Sequence, residues 1–196
     1  MTNVDLGPAT DRLAQLVQGV RDDQLDAPTP CPDYSLGALL DHVGGLALAF
    51  TMAAHKETPP ESAGPSGDAS RLGDDFRTRI PQALKEMAEA WRAPDAWTGM
   101  TQAGGIDLPG EVAALVGLDE VVIHGWDLAR SSGQPFTVEP GLLEMVHGFV
   151  AQFSGPGNEE SRAGLFGPEV PVPADASLLD RVVGMTGRDP RWSPPA

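Results

Sequence analysis

Residues 115–127 of the chain read LVGLDEVVIHGWD. Before the histidine, the only polar side chains in this stretch are those of Asp119 and Glu120, so a helix formed here is apolar almost all round. Such a helix is usually buried on most of its sides. We therefore predict a core helix from roughly residue 111 to residue 131, which ends at Gly133 because glycine favours the conformation that follows a helix.

One narrow face of this predicted helix carries Glu120, His124 and Asp127, because successive residues are rotated by about 100°. A buried carboxylate costs several kcal/mol unless it is paired or bound to a metal, so Glu120 needs a partner. An acidic residue and a histidine four positions apart project side by side and can reach one metal ion. The spacing alone is a weak signal, and a buried Glu–His hydrogen bond is the competing interpretation.

Helical periodicity also dominates the rest of the chain. Apolar side chains recur every three to four positions in further segments, as expected of helices with one buried face. Ser35 is predicted to cap the second helix. Connections rich in Pro and Gly are expected at residues 57–70 and at about 94–110, and no stretch has a convincing strand pattern. The further helical segments lie around residues 13–20, 36–56, 76–91 and 142–153.

These patterns predict an all-α fold. Residues 1–153 are expected to form one helical bundle, in which the segment around 142–153 is an extra, shorter helix. Residues 154–196 are rich in Pro and Gly. We expect them to wrap the bundle as a tail and not to form a separate domain.

His42 is the third candidate ligand. It lies in the middle of the second predicted helix, at the edge of the apolar face. A histidine in this position is more often a satisfied core residue than a ligand. The adjacent Gly44 and Gly45 lower helix propensity, which is compatible either with close helix packing or with room left for a ligand.

Composition narrows the function classes. The formal net charge is −15 and the chain has only two lysines, so binding to nucleic acid or to an anionic membrane surface is disfavoured. Cys31 is the only cysteine, which excludes an intrachain disulfide. The first residues lack the pattern of a signal peptide, and no apolar run reaches the roughly 18–20 residues of a membrane span. We expect a cytoplasmic protein acting on a small molecule, as a monomer or a homodimer.

Two motifs resemble a known family. The sequence PTPCPDYS at residues 28–35, followed by LLDHV at 39–43, resembles the entry to the second helix of the DinB-like superfamily. More closely, it resembles the mycothiol-dependent maleylpyruvate isomerase N-terminal domain family. The sequence DEVVIHGWDLAR at 119–130 is similar to that family's metal-binding helix, and residues 165–175 and 187–190 resemble a subfamily of small metal-binding proteins with no assigned reaction.

The resemblance implies a fold and a site. The fold is an up-down-down-up four-helix bundle, in which residues 57–70 are the crossover connection. The implied metal ligands are His42, Glu120 and His124. Two nitrogen ligands and one oxygen ligand leave a coordination position open, as in catalytic metal sites. Zinc is the first choice, and nickel, iron or manganese accept the same ligands.

Three functions are compatible with such a site. The resemblance implies a thiol S-transferase or a thiol-dependent isomerase that uses a mycothiol-type thiol on a small electrophile. A hydrolase using metal-bound water, with Asp127 or Asp41 as the only candidate general bases, and a non-enzymatic binding module are the alternatives. Asp127 is the candidate catalytic residue: it either orients a metal ligand or completes the coordination, and the alternative is a surface residue near the helix end. Cys31 is interpreted as structural, and Arg130 is the nearest cation on the site helix.

Overall fold

The computed structural model describes residues 4–58 and 66–194 of the 196-residue chain. Most of the described chain is helical, as predicted. Residues 59–65 of the expected crossover connection lie outside the described residues. The helices are α1 (Gly7–Gly19), α2 (Leu36–Ala54), α3 (Phe76–Ala90), α4 (Gly110–Ser132), α5 (Pro140–Val150), α6 (Glu159–Arg162) and α7 (Leu178–Met185).

Local capping sets the start of α2 and the end of α4, the two helices that carry the predicted ligands. The side chain of Ser35 accepts a hydrogen bond from the backbone N–H of Ala38 at 3.3 Å, which caps α2 as predicted. Gly133 follows α4 with φ of +73°, a left-handed conformation that side chains with a Cβ disfavour. Both helix ends therefore follow from short-range sequence signals.

The all-α prediction was wrong in the connection between α3 and α4. Strands β1 (Met100–Ala103) and β2 (Ile106–Pro109) form an antiparallel hairpin there. Gly104 and Gly105 both have positive φ, as a tight two-residue hairpin turn requires. The hydroxyl of Thr101 donates a 2.6 Å hydrogen bond to the carbonyl of Ala53, which joins the hairpin to the end of α2. Strands of four residues are too short to show a clear periodicity.

The four longest described helices, α1 to α4, pack around a common core, and each contacts two of the others. Helix α1 contacts α3 and α4, and α2 contacts the same two helices. The core between them is apolar, and the side chains of Leu16, Leu39, Ile80 and Ala113 in it are inaccessible to solvent. Helices α2 and α4 are therefore neighbours, and this packing brings the two predicted ligand segments side by side.

Helix α2 is long and apolar enough to cross a membrane, judged by length and composition alone. This corrects the expectation that no segment reaches that length. More than half of the helix is buried inside the fold, and the core helix of a soluble protein satisfies the same criterion. Gly44 in this helix faces Ile80 of α3, where a Cβ would come within 3.3 Å, whereas Gly45 faces open space. Close packing between helices thus accounts for Gly44.

The chain beyond residue 154 contacts the helices that precede it. Helix α7 packs against α5, and the side chain of Val182 is fully buried in the main core. The guanidinium of Arg130 in α4 donates to the carbonyl of Trp192, with Nε at 2.9 Å. These contacts tie the last described residues to the helix that carries Glu120 and His124.

Candidate metal centre

The three predicted ligands meet where α2 lies against α4. One donor atom each from His42, Glu120 and His124 lies within 4.8 Å of the other two. The two imidazole rings are perpendicular, and their centres are 4.9 Å apart. The packing of α2 against α4 brings His42 to two residues that lie 78 and 82 positions later in the chain.

The site lies at the edge of the apolar core. His42 and His124 are buried, with 8% and 6% of their surface exposed. The Glu120 side chain retains 31% exposure and is the most exposed of the three. The aromatic ring of Tyr34 lies 4.9 Å from the His42 ring and covers it from the loop before α2. The cluster therefore lies at the margin of the core, with Glu120 as its most exposed member.

His124 lies between two carboxylates. Its Nε2 is 3.0 Å from Oε2 of Glu120, and its Nδ1 is 3.0 Å from Oδ2 of Asp127. Burial disfavours the imidazolium, but the hydrogen bonds to Asp127 and Glu120 outweigh it and raise the pKa of His124 to about 9. The structure thus contains the Glu–His hydrogen bond that the sequence left as an alternative.

Asp127 is fully buried, so its interpretation as a surface residue was wrong. Oδ2 of Asp127 accepts from Nη2 of Arg188 at 3.0 Å, and Oδ1 accepts from Nε of Arg188 at 3.3 Å. Burial works against ionisation of Asp127, yet its hydrogen bond with His124 and the charge of Arg188 lower its pKa. Asp127 is therefore a buried carboxylate held between a histidine and an arginine.

Glu120 is also held in its ionised form. Burial raises the pKa of this carboxyl, but the hydrogen bond with His124 and the nearby His42 and Arg188 lower it below its usual value. The neighbouring Asp119 behaves in the opposite way. It is buried, its Oδ1 has no hydrogen-bond partner among the described residues, and burial together with the charge of Glu120 raises its pKa well above the usual value.

The donor set fits a divalent transition metal. Two imidazole nitrogens and one carboxylate oxygen suit zinc, and also iron or nickel. The Nδ1 of His124 is already occupied by Asp127, so Nε2 is the nitrogen that faces Glu120 and is available to a metal. A histidine that binds a metal through one ring nitrogen usually donates a hydrogen bond from the other, often to a carboxylate. Asp127 is in the position of that carboxylate for His124.

Several other predicted residues do not join the cluster. Asp41 accepts from Arg71 at 2.9 Å and from the backbone N–H of Asp68, so it holds the segment before α3. Arg130 is engaged with Trp192. Burial raises the pKa of the Cys31 thiol, although Arg188 opposes this, so the thiol is neutral at physiological pH and compatible with the predicted structural role.

Sequence reasoning missed two neighbours of the site. Tyr34 lies in the motif before α2, but nothing in the pattern predicts its contact with His42. Arg188 lies 61 residues after Asp127, and no local signal connects the two. Only the path of the chain after α5 brings this arginine to α4.

Comparison with known proteins identifies the family of the chain. A family model described as the mycothiol maleylpyruvate isomerase N-terminal domain matches residues 6–129. Two uncharacterized proteins of Mycobacterium tuberculosis are each 31% identical to the chain over 190 residues, which cover 93% of this chain and 95% of the relative.

Solved structures show the same fold. Crystal structures of the mycothiol-dependent maleylpyruvate isomerase and of a mutant of it match with TM-scores of 0.59 and 0.56. Each is 20% identical in sequence, and the match covers 78% of this chain and 73% of theirs. The family match spans more than half of the chain and contains all three converging side chains. The chain therefore belongs to the mycothiol maleylpyruvate isomerase N-terminal domain family.

Proposed function

We propose that this protein is a metal-dependent enzyme that uses a mycothiol-type thiol, as an S-transferase or a thiol-dependent isomerase acting on a small electrophile. The observation that carries the proposal is the convergence of His42, Glu120 and His124 within 4.8 Å, in a chain whose family is named for a mycothiol enzyme. The proposal includes the up-down-down-up order of α1–α4, with residues 1–153 as the bundle domain and 154–196 as its tail.

Each site residue has a distinct role in this proposal. His42 and His124 supply nitrogen ligands, and Glu120 supplies an oxygen ligand. Asp127 accepts from Nδ1 of His124 and thereby keeps Nε2 directed at the metal position. A bound dication, zinc by first choice, lowers the pKa of a low-molecular-weight thiol so that it is available as the thiolate near neutral pH.

The charges around the site favour an uncharged electrophile. Arg188 is nearly buried and is fully engaged with Asp127 and with the Thr186 carbonyl. Arg130 donates to the Trp192 carbonyl. Both guanidiniums are thus already engaged in contacts within the protein, and the protein as a whole is strongly acidic.

The hydrolase alternative is less well supported. A metal-bound water needs a nearby general base, and the sequence offered Asp127 or Asp41. Asp127 is already held by His124 and Arg188, and Asp41 is bound to Arg71. Among the described residues, both proposed bases are therefore occupied by other contacts.

Metal content tests the ligand set directly. Elemental analysis of protein purified without a His-tag should show close to one metal per chain. The variants His42→Ala and His124→Ala should contain little or no metal. His147→Ala is the matched control because His147 lies on α5, outside the cluster. Wild-type metal content in both site variants would show that the assignment is wrong.

A second experiment tests the thiol. Cobalt(II) can replace zinc, and its visible spectrum reports on the coordinating atoms. Adding mycothiol to the cobalt-substituted protein should produce a sulfur-to-metal charge-transfer band, and the corresponding disulfide should not. If no thiol changes the spectrum, the protein is a hydrolase or a binding module and the thiol proposal fails.

A further inference from the structure

The end of α7 holds Arg188 in a defined backbone position. Gly187 follows the helix with φ of +90°. The N–H of Gly187 donates to the Gly184 carbonyl, and the N–H of Arg188 donates to the Val183 carbonyl, both at 3.1 Å. These two bonds form the Schellman motif, a common way to end a helix. The direction in which Arg188 leaves α7 is therefore set by the helix end itself.

The guanidinium of Arg188 has no free nitrogen. Its Nε and Nη2 contact the two carboxylate oxygens of Asp127, at 3.3 and 3.0 Å, and Nη1 donates to the Thr186 carbonyl at 3.2 Å. The Arg188 side chain is 13% exposed, and that of Asp127 is fully buried. Contact through both oxygens fixes the orientation of a carboxylate as well as its position.

The same carboxylate holds the ligand histidine. Oδ2 of Asp127 is shared between Arg188 and Nδ1 of His124, both at 3.0 Å. With Asp127 held in place, Nδ1 of His124 keeps its proton, and the ring is turned so that Nε2, the nitrogen that would give up its proton to a metal, faces Glu120. Without Arg188, the carboxylate keeps a single side-chain partner and can rotate about its Cβ–Cγ bond, so the His124 ring is no longer fixed.

We propose that Arg188 is a positioning residue of the metal centre, which acts through Asp127 to fix the tautomer and the orientation of His124. This inference rests on the proposed function, since it requires a metal bound by His42, Glu120 and His124. If Arg188 has this role, the segment after residue 154 contributes to the metal centre, because Arg188 lies just after the end of α7.

Cobalt affinity measured by competition with a chelator tests the proposal. Arg188→Gln should bind cobalt(II) more weakly than the wild type, by up to the roughly 10- to 100-fold that loss of a direct outer partner such as Asp127 typically costs. Arg130→Gln is the matched control because Arg130 also ties the tail to α4, through Trp192, without contacting the site. The control should keep wild-type affinity. Equal affinity of Arg188→Gln and wild type, or an equal loss in both variants, would overturn the proposal.

Nuclear magnetic resonance of the histidine nitrogens gives a readout that a purely structural role would not change. In zinc-loaded wild type, His124 should carry its proton on Nδ1 and show a metal-shifted Nε2. In zinc-loaded Arg188→Gln, His124 should show a second population with the metal at Nδ1 and the proton on Nε2. Metal bound at Nδ1 in the wild type would refute the proposal even if Arg188→Gln failed to fold.

The two proposals fail in different ways. If wild-type protein binds no cobalt at all, both the proposed function and the role of Arg188 are wrong. If wild type binds cobalt and Arg188→Gln matches it in affinity and in His124 tautomer, only the role of Arg188 is wrong. Thermal unfolding of both metal-free variants shows whether a loss of affinity comes from a partly unfolded tail.

Discussion

His124 makes two contacts with acidic side chains, and these set its charge when no metal is bound. The pKa of about 9 means that the imidazole is doubly protonated at neutral pH, with one N–H directed at Glu120 and the other at Asp127. A metal must displace the proton on Nε2, so metal binding and protonation compete at this residue.

Metal-free protein should lose stability as the pH rises from 6.5 to 9. The folded-state pKa of His124 lies above the unfolded value of 6.5, so its contribution is complete below pH 6.5 and is lost as the pH passes about 9. A pKa difference of this size corresponds to roughly 3 kcal/mol in the free energy of unfolding. Urea unfolding in the presence of a chelator, at several pH values, measures it.

His124→Gln is the control for this pH dependence. The variant lacks the titrating imidazole but retains the other three histidines, so its stability should change much less between pH 6.5 and 9. A constant difference in unfolding free energy between wild type and variant over this range would show that His124 is not held as the imidazolium.

At the scale of elements, the end of α7 is a tight junction. A Cβ at Gly187 would lie 2.8 Å from backbone atoms of Gly167, and the φ of +90° is unfavourable for any other residue. Gly133 at the end of α4 also has a positive φ, but a Cβ there would meet no atom within 4 Å. The two positions share the same conformational demand and differ in the space around them.

Gly187→Ala should therefore destabilise the protein more than Gly133→Ala. Both substitutions cost about 1 kcal/mol for the left-handed conformation. Gly187→Ala adds a backbone clash, which typically costs a further ~1–3 kcal/mol. Chemical unfolding of the two variants beside wild type tests this. Equal losses in both variants would show that the contact with Gly167 relaxes freely.

At the scale of the whole molecule, the metal would connect two neighbouring helices. His42 comes from α2, whereas Glu120 and His124 come from α4. The unfolded chain does not hold these donors together. Binding therefore favours the folded state by mass action.

Zinc should raise the thermal midpoint of the metal-free protein. At a free zinc concentration 100-fold above the dissociation constant, the stabilisation is about 2.7 kcal/mol. For a chain of this size, that corresponds to roughly 5–10 °C. Differential scanning fluorimetry with zinc, followed by excess chelator, measures the shift and its reversal. His42→Ala should show no shift, and an identical shift in that variant would contradict a site shared by the two helices.

The amino-acid sequence alone determined most of the helical framework. The ends of α2 and α4 followed from Ser35 and Gly133, because capping depends on residues within one turn of the helix. Glu120 and His124 were placed on one face because four positions make about one helical turn. The hairpin before α4 was missed because four-residue strands have too little pattern to separate from a loop.

Only the tertiary structure decided what those residues meet. In the sequence, nothing local connects His42 to Glu120 and His124. The packing of α2 against α4 places it beside them. The sequence left open whether Asp127 lies on the surface or beside the metal ligands. The structure shows that it is buried and contacts Arg188. Periodicity and capping are local properties that can be read along the chain. Contacts between residues 61 or more positions apart depend on which helices become neighbours, and no short stretch of sequence contains that information.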